Sequence, residues 1–205
     1  MLRASHADQK PPRDARVAPG KEEFMSEQSD KTIAAARVKT PIGMLGVAAT
    51  ARGLWRVEFD ARRIRPARGN ASAQAQLAAV MKQLQEYFSG RRKSFNVPLD
   101  LEGTAHQLRV WRALCEIPFG ETLTYGELTR RVGLPPAAAR ATGRACATNP
   151  APVVVPCHRV IGSDGKLHGF GGGLWRKEAL LELEGSAAVR QGNLFGQKVK
   201  RPKDR

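Results

Sequence analysis

Apolar positions fall into two different rhythms along this chain. Ala36 to Thr40, Met44 to Ala48 and Leu54 to Phe59 read as three short strands, with Pro41-Ile42-Gly43 and Arg52-Gly53 supplying the turns of a meander. Ordered structure is expected to begin near Ile33. From Ser72 to Phe88 the spacing changes to threes and fours. Leu77, Val80, Met81, Leu84 and Phe88 predict an amphipathic helix ended by Gly90. Phe95 to Leu101 reads as another short apolar strand, and Asp100 to Gly103 as a linker. Beyond it the pattern is mostly helical. Thr104 with Gln107, and Thr124 with Glu127, have the spacing of capping boxes. The first predicts a helix carrying Leu108, Trp111, Leu114 and Cys115 to a core, and the second a short helix to about Val132. After the turn Gly133-Leu134-Pro135, Pro136 opens a helix running to about Thr148, and Asn149-Pro150 stops it. Two helices across a tight Gly-containing turn form a helix-turn-helix candidate. The last helix is expected over Trp175 to Leu183.

The fold class is therefore α+β, with a small α/β unit over residues 31–102 and a mainly helical unit over 103–189. Residues 1–30 and 190–205 are polar, and both are expected to be disordered. Charge alters this picture by its location. The net charge is +15, and residues 31–100 hold 13 basic against 4 acidic side chains, while residues 101–189 hold 10 against 8. The excess favours an anionic partner, with nucleic acid the usual one. No run of eighteen apolar residues and no signal-peptide core is present, so a soluble cytoplasmic protein is expected. Three cysteines, Cys115, Cys146 and Cys157, without CxxC spacing or spaced His pairs, argue against a disulfide scaffold and a zinc site. No metal and no cofactor is expected.

The candidate chemistry lies at Pro156-Cys157-His158-Arg159-Val160, where the apolar run Val153-Val154-Val155 reads as a short buried strand or turn. A thiol is nucleophilic as thiolate, and neighbouring His and Arg favour that form. A free Cys in such a run is more commonly a core thiol. Adjacent side chains also diverge on an extended chain, so His158 would reach the sulfur across a helical turn or through water. The helix Ala137 to Ala147 is small-residued and holds no acid, with Arg140 and Arg144 on one face. Such a helix allows close approach to phosphates, although a structural Ala-rich helix fits the pattern equally.

Several motifs together resemble the O6-alkylguanine-DNA alkyltransferases, also called methylated-DNA–protein-cysteine methyltransferases. They are Pro156 to Val160, Thr124-Tyr125-Gly126-Glu127, the Ala-Ala-Arg-Ala helix, Asn149-Pro150, Gly172-Gly173-Leu174, Lys177-Glu178 and Glu184, in the family's order over about Ile33 to Gly185. The resemblance implies a ribonuclease-H-like α/β domain followed by a winged-helix-like domain. It implies Cys157 as alkyl acceptor, His158 and Glu184 as its water-linked relay, Asn149 as hinge, and Tyr125 as the tyrosine that rotates the nucleotide and bonds the flipped base. Arg140 would enter the base stack, with Ala138, Ala139, Gly143 and Arg144 on the DNA-facing helix. Val160, Phe170 and Gly171 would line the guanine pocket. The implied partner is double-stranded DNA carrying O6-alkylguanine, and also O4-alkylthymine. The implied protein is a monomer acting once per molecule, with cooperative binding on DNA left open. Two positions depart from the family: Gly171 replaces a larger residue or serine, and Phe170 a common tyrosine. Against the resemblance stand a Cys–His hydrolase using His106 or His168, and a helix-turn-helix regulator with a structural Cys. Lesion-binding relatives that lack the Cys are disfavoured by Cys157 itself.

Overall fold

The computed structural model describes residues 32–187. The extension 1–30 and the tail 190–205, both expected to be disordered, lie outside the described residues. Strands β1 (Ala34–Thr40), β2 (Gly43–Thr50) and β3 (Gly53–Phe59) form an antiparallel sheet in the order β1-β2-β3. The first turn closes with Thr40 opposite Gly43, whose φ of +101° suits a residue without Cβ. Helix α1 (Ala71–Phe88) starts where the Asn70 side chain accepts from the Ala73 amide. Its buried stripe is Val80, Leu84 and Tyr87, one and two turns apart. Tyr87, not the expected Phe88, is the aromatic residue sealed from solvent.

Phe95 to Leu101 forms no strand. It makes a single bridge to the sheet, with Leu54 N–H donating to Pro98 O and Asp100 N–H to Leu54 O, each at 2.8 Å. Pro98 has no N–H of its own, so the ladder stops there.

The second lobe carries α2 (Ala105–Cys115), the two-residue strand β4 (Leu123–Thr124), α3 (Tyr125–Arg131), α4 (Ala139–Ala147), the strand β5 (Val160–Ile161) parallel to β4, and α5 (Leu174–Leu183). Both capping boxes are present, Thr104 with Gln107 and Thr124 with Glu127. Pro136 opens a 3-10 turn over Pro136–Ala138, and the α-helix begins only at Ala139. Helix α4 is fixed from two sides: the Trp111 indole N–H donates to Ala145 O at 2.8 Å, and Thr129 bonds Thr142 inside the α3–α4 contact. The helix-turn-helix is therefore a rigid unit.

One apolar core runs through both lobes, joining Leu45, Leu54 and Leu84 to Leu114, Val155 and Leu180. The free edge of β3 is covered by Pro98–Asp100 at one end and by Pro150 at the other, where Val57 N–H donates to Pro150 O at 2.9 Å. This seats the segment after α4 on the sheet of the first lobe and protects the edge from pairing elsewhere. Arg176 ties the same junction, donating to Ile42 O and Gly172 O at 2.7 Å each and pairing with Asp60. No helix among the described residues is long and apolar enough to cross a membrane.

Candidate active site

The apolar run before the Cys is a turn, not a strand. Val155 N–H donates back to Ala151 O at 2.8 Å, and Val153 sits at φ +77°, a conformation β-branched residues avoid. Asn149 holds the turn together. Its Oδ1 accepts from the Ala151 amide at 3.0 Å, and its Nδ2 donates to Val155 O at 2.8 Å and to Cys157 Sγ at 3.1 Å. Cys157–Arg159 then form one 3-10 turn, in which successive side chains fan apart by about 120°. Cys157 faces Asn149, whereas His158 and Arg159 both reach the end of α5.

There Glu184 gathers the donors. His158 Nε2 lies 2.8 Å from Oε1, and Arg159 forks the carboxylate at 2.9 Å on each oxygen. The remaining Arg159 nitrogen donates to Ile117 O. Gly120 N–H reaches Oε2 at 3.2 Å, and the Tyr87 hydroxyl donates to Oε1 at 2.6 Å from across the lobe boundary. All of these side chains are buried. His158 Nδ1, also buried, has no hydrogen-bond partner. That ring nitrogen is the one left for proton exchange, since Nε2 is engaged by Glu184.

The electrostatics follow from burial. Burial pushes the Cys157 thiol up, opposed by the Asn149 hydrogen bond and the Lys177 charge. It pushes His158 down against the pull of Glu184. The ground state is thus a neutral thiol beside a neutral imidazole. Burial alone would raise the Glu184 carboxyl, but His158 and Arg159 together hold it well below the usual carboxylate range. Lys177, fully buried, donates to Val160 O at 2.6 Å and His168 O at 3.0 Å, and burial lowers it to about 8. Tyr125 is pushed up to about 12 by burial and the two thiols Cys146 and Cys157, so its hydroxyl remains a donor at neutral pH.

Two cavities reach the sulfur. A cleft of about 500 Å³ opens between the lobes, lined by Arg56, Arg62 and Arg63 on one side and Asn149, Cys157, Phe170 and Gly171 on the other. A smaller recess is walled by Tyr125, Gly143, Cys146, Cys157, Gly169 and Phe170. Phe170 leans on Phe59 of β3 at 5.4 Å. Gly171 faces open space: a Cβ at this position would meet no atom within 4 Å. Val160 lines neither cavity; it is buried in β5 and its carbonyl is held by Lys177. Neither His106 nor His168 lines them, and His168 is exposed against Asp164 at 3.0 Å. On α4, Arg140 and Arg144 are exposed, and Ala139 and Gly143, with Ala138 of the preceding 3-10 turn, present little beyond backbone. No cluster of His, Cys, Asp and Glu that could hold a metal ion occurs among the described residues.

Two family descriptions match this chain, "6-O-methylguanine DNA methyltransferase, ribonuclease-like domain" over residues 33–101 and "6-O-methylguanine DNA methyltransferase, DNA binding domain" over 105–186. A methylated-DNA–protein-cysteine methyltransferase of Mycobacterium bovis is 45% identical over 159 residues, which is 77% of this chain and 96% of that protein. The chain belongs to the 6-O-methylguanine DNA methyltransferase family. An archaeal member, from Methanosarcina acetivorans, is also 45% identical, over 72% of this chain and 96% of its own. Among solved structures, Mycobacterium tuberculosis OGT in complex with DNA superposes with a TM-score of 0.66 at 41% identity, covering 76% of this chain and 97% of that one.

In this methyltransferase-family chain, sequence reasoning brought Cys157, His158, Glu184, Asn149 and Tyr125 to one place, and the fold assembles them there. No pattern in the sequence assigned Arg159 a partner, and the structure gives it Glu184. Sequence reasoning missed Lys177 as the buried cation whose charge favours the Cys157 thiolate, and it missed Tyr87. A tyrosine in a buried helix stripe requires a partner for its hydroxyl, which was the available signal. Of the three cleft arginines of the first lobe, Arg56 lies on β3 and Arg62 and Arg63 follow that strand, and no sequence pattern singled them out.

Proposed function

We propose that this protein repairs DNA by direct reversal, moving an alkyl group from O6 of guanine, or O4 of thymine, to Cys157 once per molecule. The observation that carries the reading is the Asn149-held thiol beside an imidazole whose far nitrogen is fixed by a buried carboxylate. The thiol proton passes through water to His158 Nδ1, and the resulting imidazolium is balanced by Glu184. The sulfur attacks the alkyl carbon in line, forming S–C while C–O6 breaks, and the electron pair leaves on the base oxygen. Tyr125, a protonated phenol at the recess, offers its hydrogen to the base edge and stabilises that developing charge. The guanine anion then takes up a proton through water as the His158 imidazolium gives one back, so the products are a thioether and an intact guanine. Thioether sulfur has no proton to lose and is a poor leaving group, so the protein is spent.

A base within a duplex cannot reach a buried thiol, and extrusion costs a few kcal/mol. In this reading α4 and the 3-10 turn before it approach the minor groove with their small residues, Ala138, Ala139 and Gly143, and Arg144 meets phosphate. Arg140 fills the gap left by the flipped nucleotide. The relatives' names, and the DNA complex of the Mycobacterium tuberculosis protein, support DNA as the partner. The deciding experiment mixes the protein with duplex DNA containing O6-methylguanine and maps peptides by mass spectrometry. One methyl group on the Cys157 peptide, with repair stopping at one lesion per protein, is the expected result. An unmodified Cys157 in folded protein refutes the proposal, and repair continuing past one equivalent refutes the single-use step. Arg140→Ala is expected to slow repair of duplex DNA at least about tenfold while changing reaction with free O6-methylguanine base little, because only the duplex requires extrusion. Equal losses on both substrates would remove Arg140 from that role.

A further inference from the structure

The donor set around Glu184 includes a residue from the wrong lobe for a self-contained active site. Tyr87 lies on α1, 97 residues before Glu184, and its hydroxyl donates to Oε1 at 2.6 Å. The same oxygen faces His158 Nε2 at 2.8 Å and Arg159 Nη2 at 2.9 Å. We infer that Tyr87 is a positioning residue of the alkyl-transfer relay: its hydroxyl orients the Glu184 carboxylate and, by drawing charge from Oε1, sets how basic His158 is. This rests on the relay proposed above, and it makes the first lobe a part of the active site.

The geometry separates this role from that of a satisfied core tyrosine. Arg159 already anchors the carboxylate through both oxygens and through Ile117 O. The Tyr87 hydroxyl is therefore not needed merely to retain the carboxylate, yet it sits on the oxygen that touches the imidazole. The charged and titratable groups acting on His158 are Glu184 at the end of α5, Arg159 on its own turn, and Lys177 on α5. Both cations oppose an imidazolium, so its formation depends on the single carboxylate. A neutral donor on that carboxylate weakens its pull. Burial and the Glu184 charge keep the Tyr87 phenol protonated, hence always the donor. Its ring is held by Phe88 and Phe95, each with centroids 5.2 Å away, and by Phe119 at 6.1 Å, so removing only the oxygen leaves the packing in place.

The test is Tyr87→Phe in the full chain, read in two ways. In the unreacted protein, the imidazole titration of His158 is followed by NMR from pH 4 to pH 9. Its midpoint is expected to rise by about half a unit or more, because Glu184 regains charge at Oε1. In single-turnover methyl transfer from duplex O6-methylguanine, the acid limb of the pH profile is expected to move upward with the His158 midpoint, with DNA affinity unchanged. In a Glu184→Gln background, Y87F is expected to leave the midpoint where E184Q put it. A lowered melting temperature with both profiles superimposed on wild type would overturn the proposal and make Tyr87 a packing residue. A midpoint that shifts in a protein whose wild type transfers no methyl group supports the coupling while refuting the repair function, so the two failures are distinguishable. If Y87F does not fold, 3-fluorotyrosine at position 87, a stronger donor of nearly equal volume, is expected to lower the His158 midpoint, and an unmoved midpoint refutes the inference.

Discussion

Cys157→Ala is expected to abolish methyl transfer while binding to duplex DNA stays within about threefold of wild type, since the residues proposed above to face DNA are untouched. The reason for a complete loss is that no other nucleophile can take over. Cys146 lines both cavities beside Cys157, but burial pushes it up to about 12, so it is almost wholly protonated at neutral pH. It also lacks the Asn149 hydrogen bond that favours a charged sulfur at position 157. Mass spectrometry of C157A after long exposure to alkylated duplex should therefore find no methyl on the Cys146 peptide, and a methylated Cys146 would show the thiol environment matters less than argued. Folding should survive, because Asn149 keeps its bonds to Ala151 and Val155. Removing one buried sulfur costs about 1 kcal/mol. In wild type the rate should be flat through neutral pH, where thiol and imidazole are both neutral, and fall on the acid side as His158 takes a proton and ceases to be a base.

How far this site could be read from sequence depends on how local each contact is. The three strands, α1 and both capping boxes were legible because period-two and period-3.6 patterns and cap spacings are set by neighbours in the chain. Cys157 and His158 were legible as adjacent reactive groups, and Glu184 through its resemblance to a family motif. The run Val153 to Val155 was ambiguous because apolar content does not encode φ; the turn at Val153 is imposed by Asn149 and by burial. Phe95 to Leu101 failed as a strand for a local reason, the missing N–H of Pro98. The contacts at Glu184 were least legible. Arg159, 25 residues away, and Tyr87, 97 residues away, meet it only because the 3-10 turn packs against α5 and α1 of the first lobe reaches the same helix end. Periodicity marks such residues as buried without saying what they touch. The lobes therefore cannot be assigned separate tasks, with structure in one and chemistry in the other.

Glu184→Ala carries the largest expected effect on stability, about 3–5 kcal/mol, because it strands a buried charge. The Arg159 guanidinium would lose both acceptors while remaining buried, and His158 Nε2, the Tyr87 hydroxyl and Gly120 N–H would each lose theirs. Urea unfolding at pH 8 measures the loss, and a value under about 1 kcal/mol would mean that water or rearrangement satisfies these groups. The pH dependence supplies a second check. His158 has a folded value below its ordinary 6.5, so the unfolded chain binds its proton first and stability declines as pH falls through that region. Glu184 has a folded value far below its ordinary 4.5, so its contribution is fully present above that pH and is lost as pH falls toward the folded value. Wild type should thus lose stability in two stages on acidification, one beginning near neutral pH and a steeper one below about 4.5. In E184A the second stage should shrink, because the group responsible for it is gone. An acid limb of unchanged slope would show that other carboxylates govern it, and that the Arg159–Glu184 pair does not hold the 3-10 turn to the end of α5 in acid.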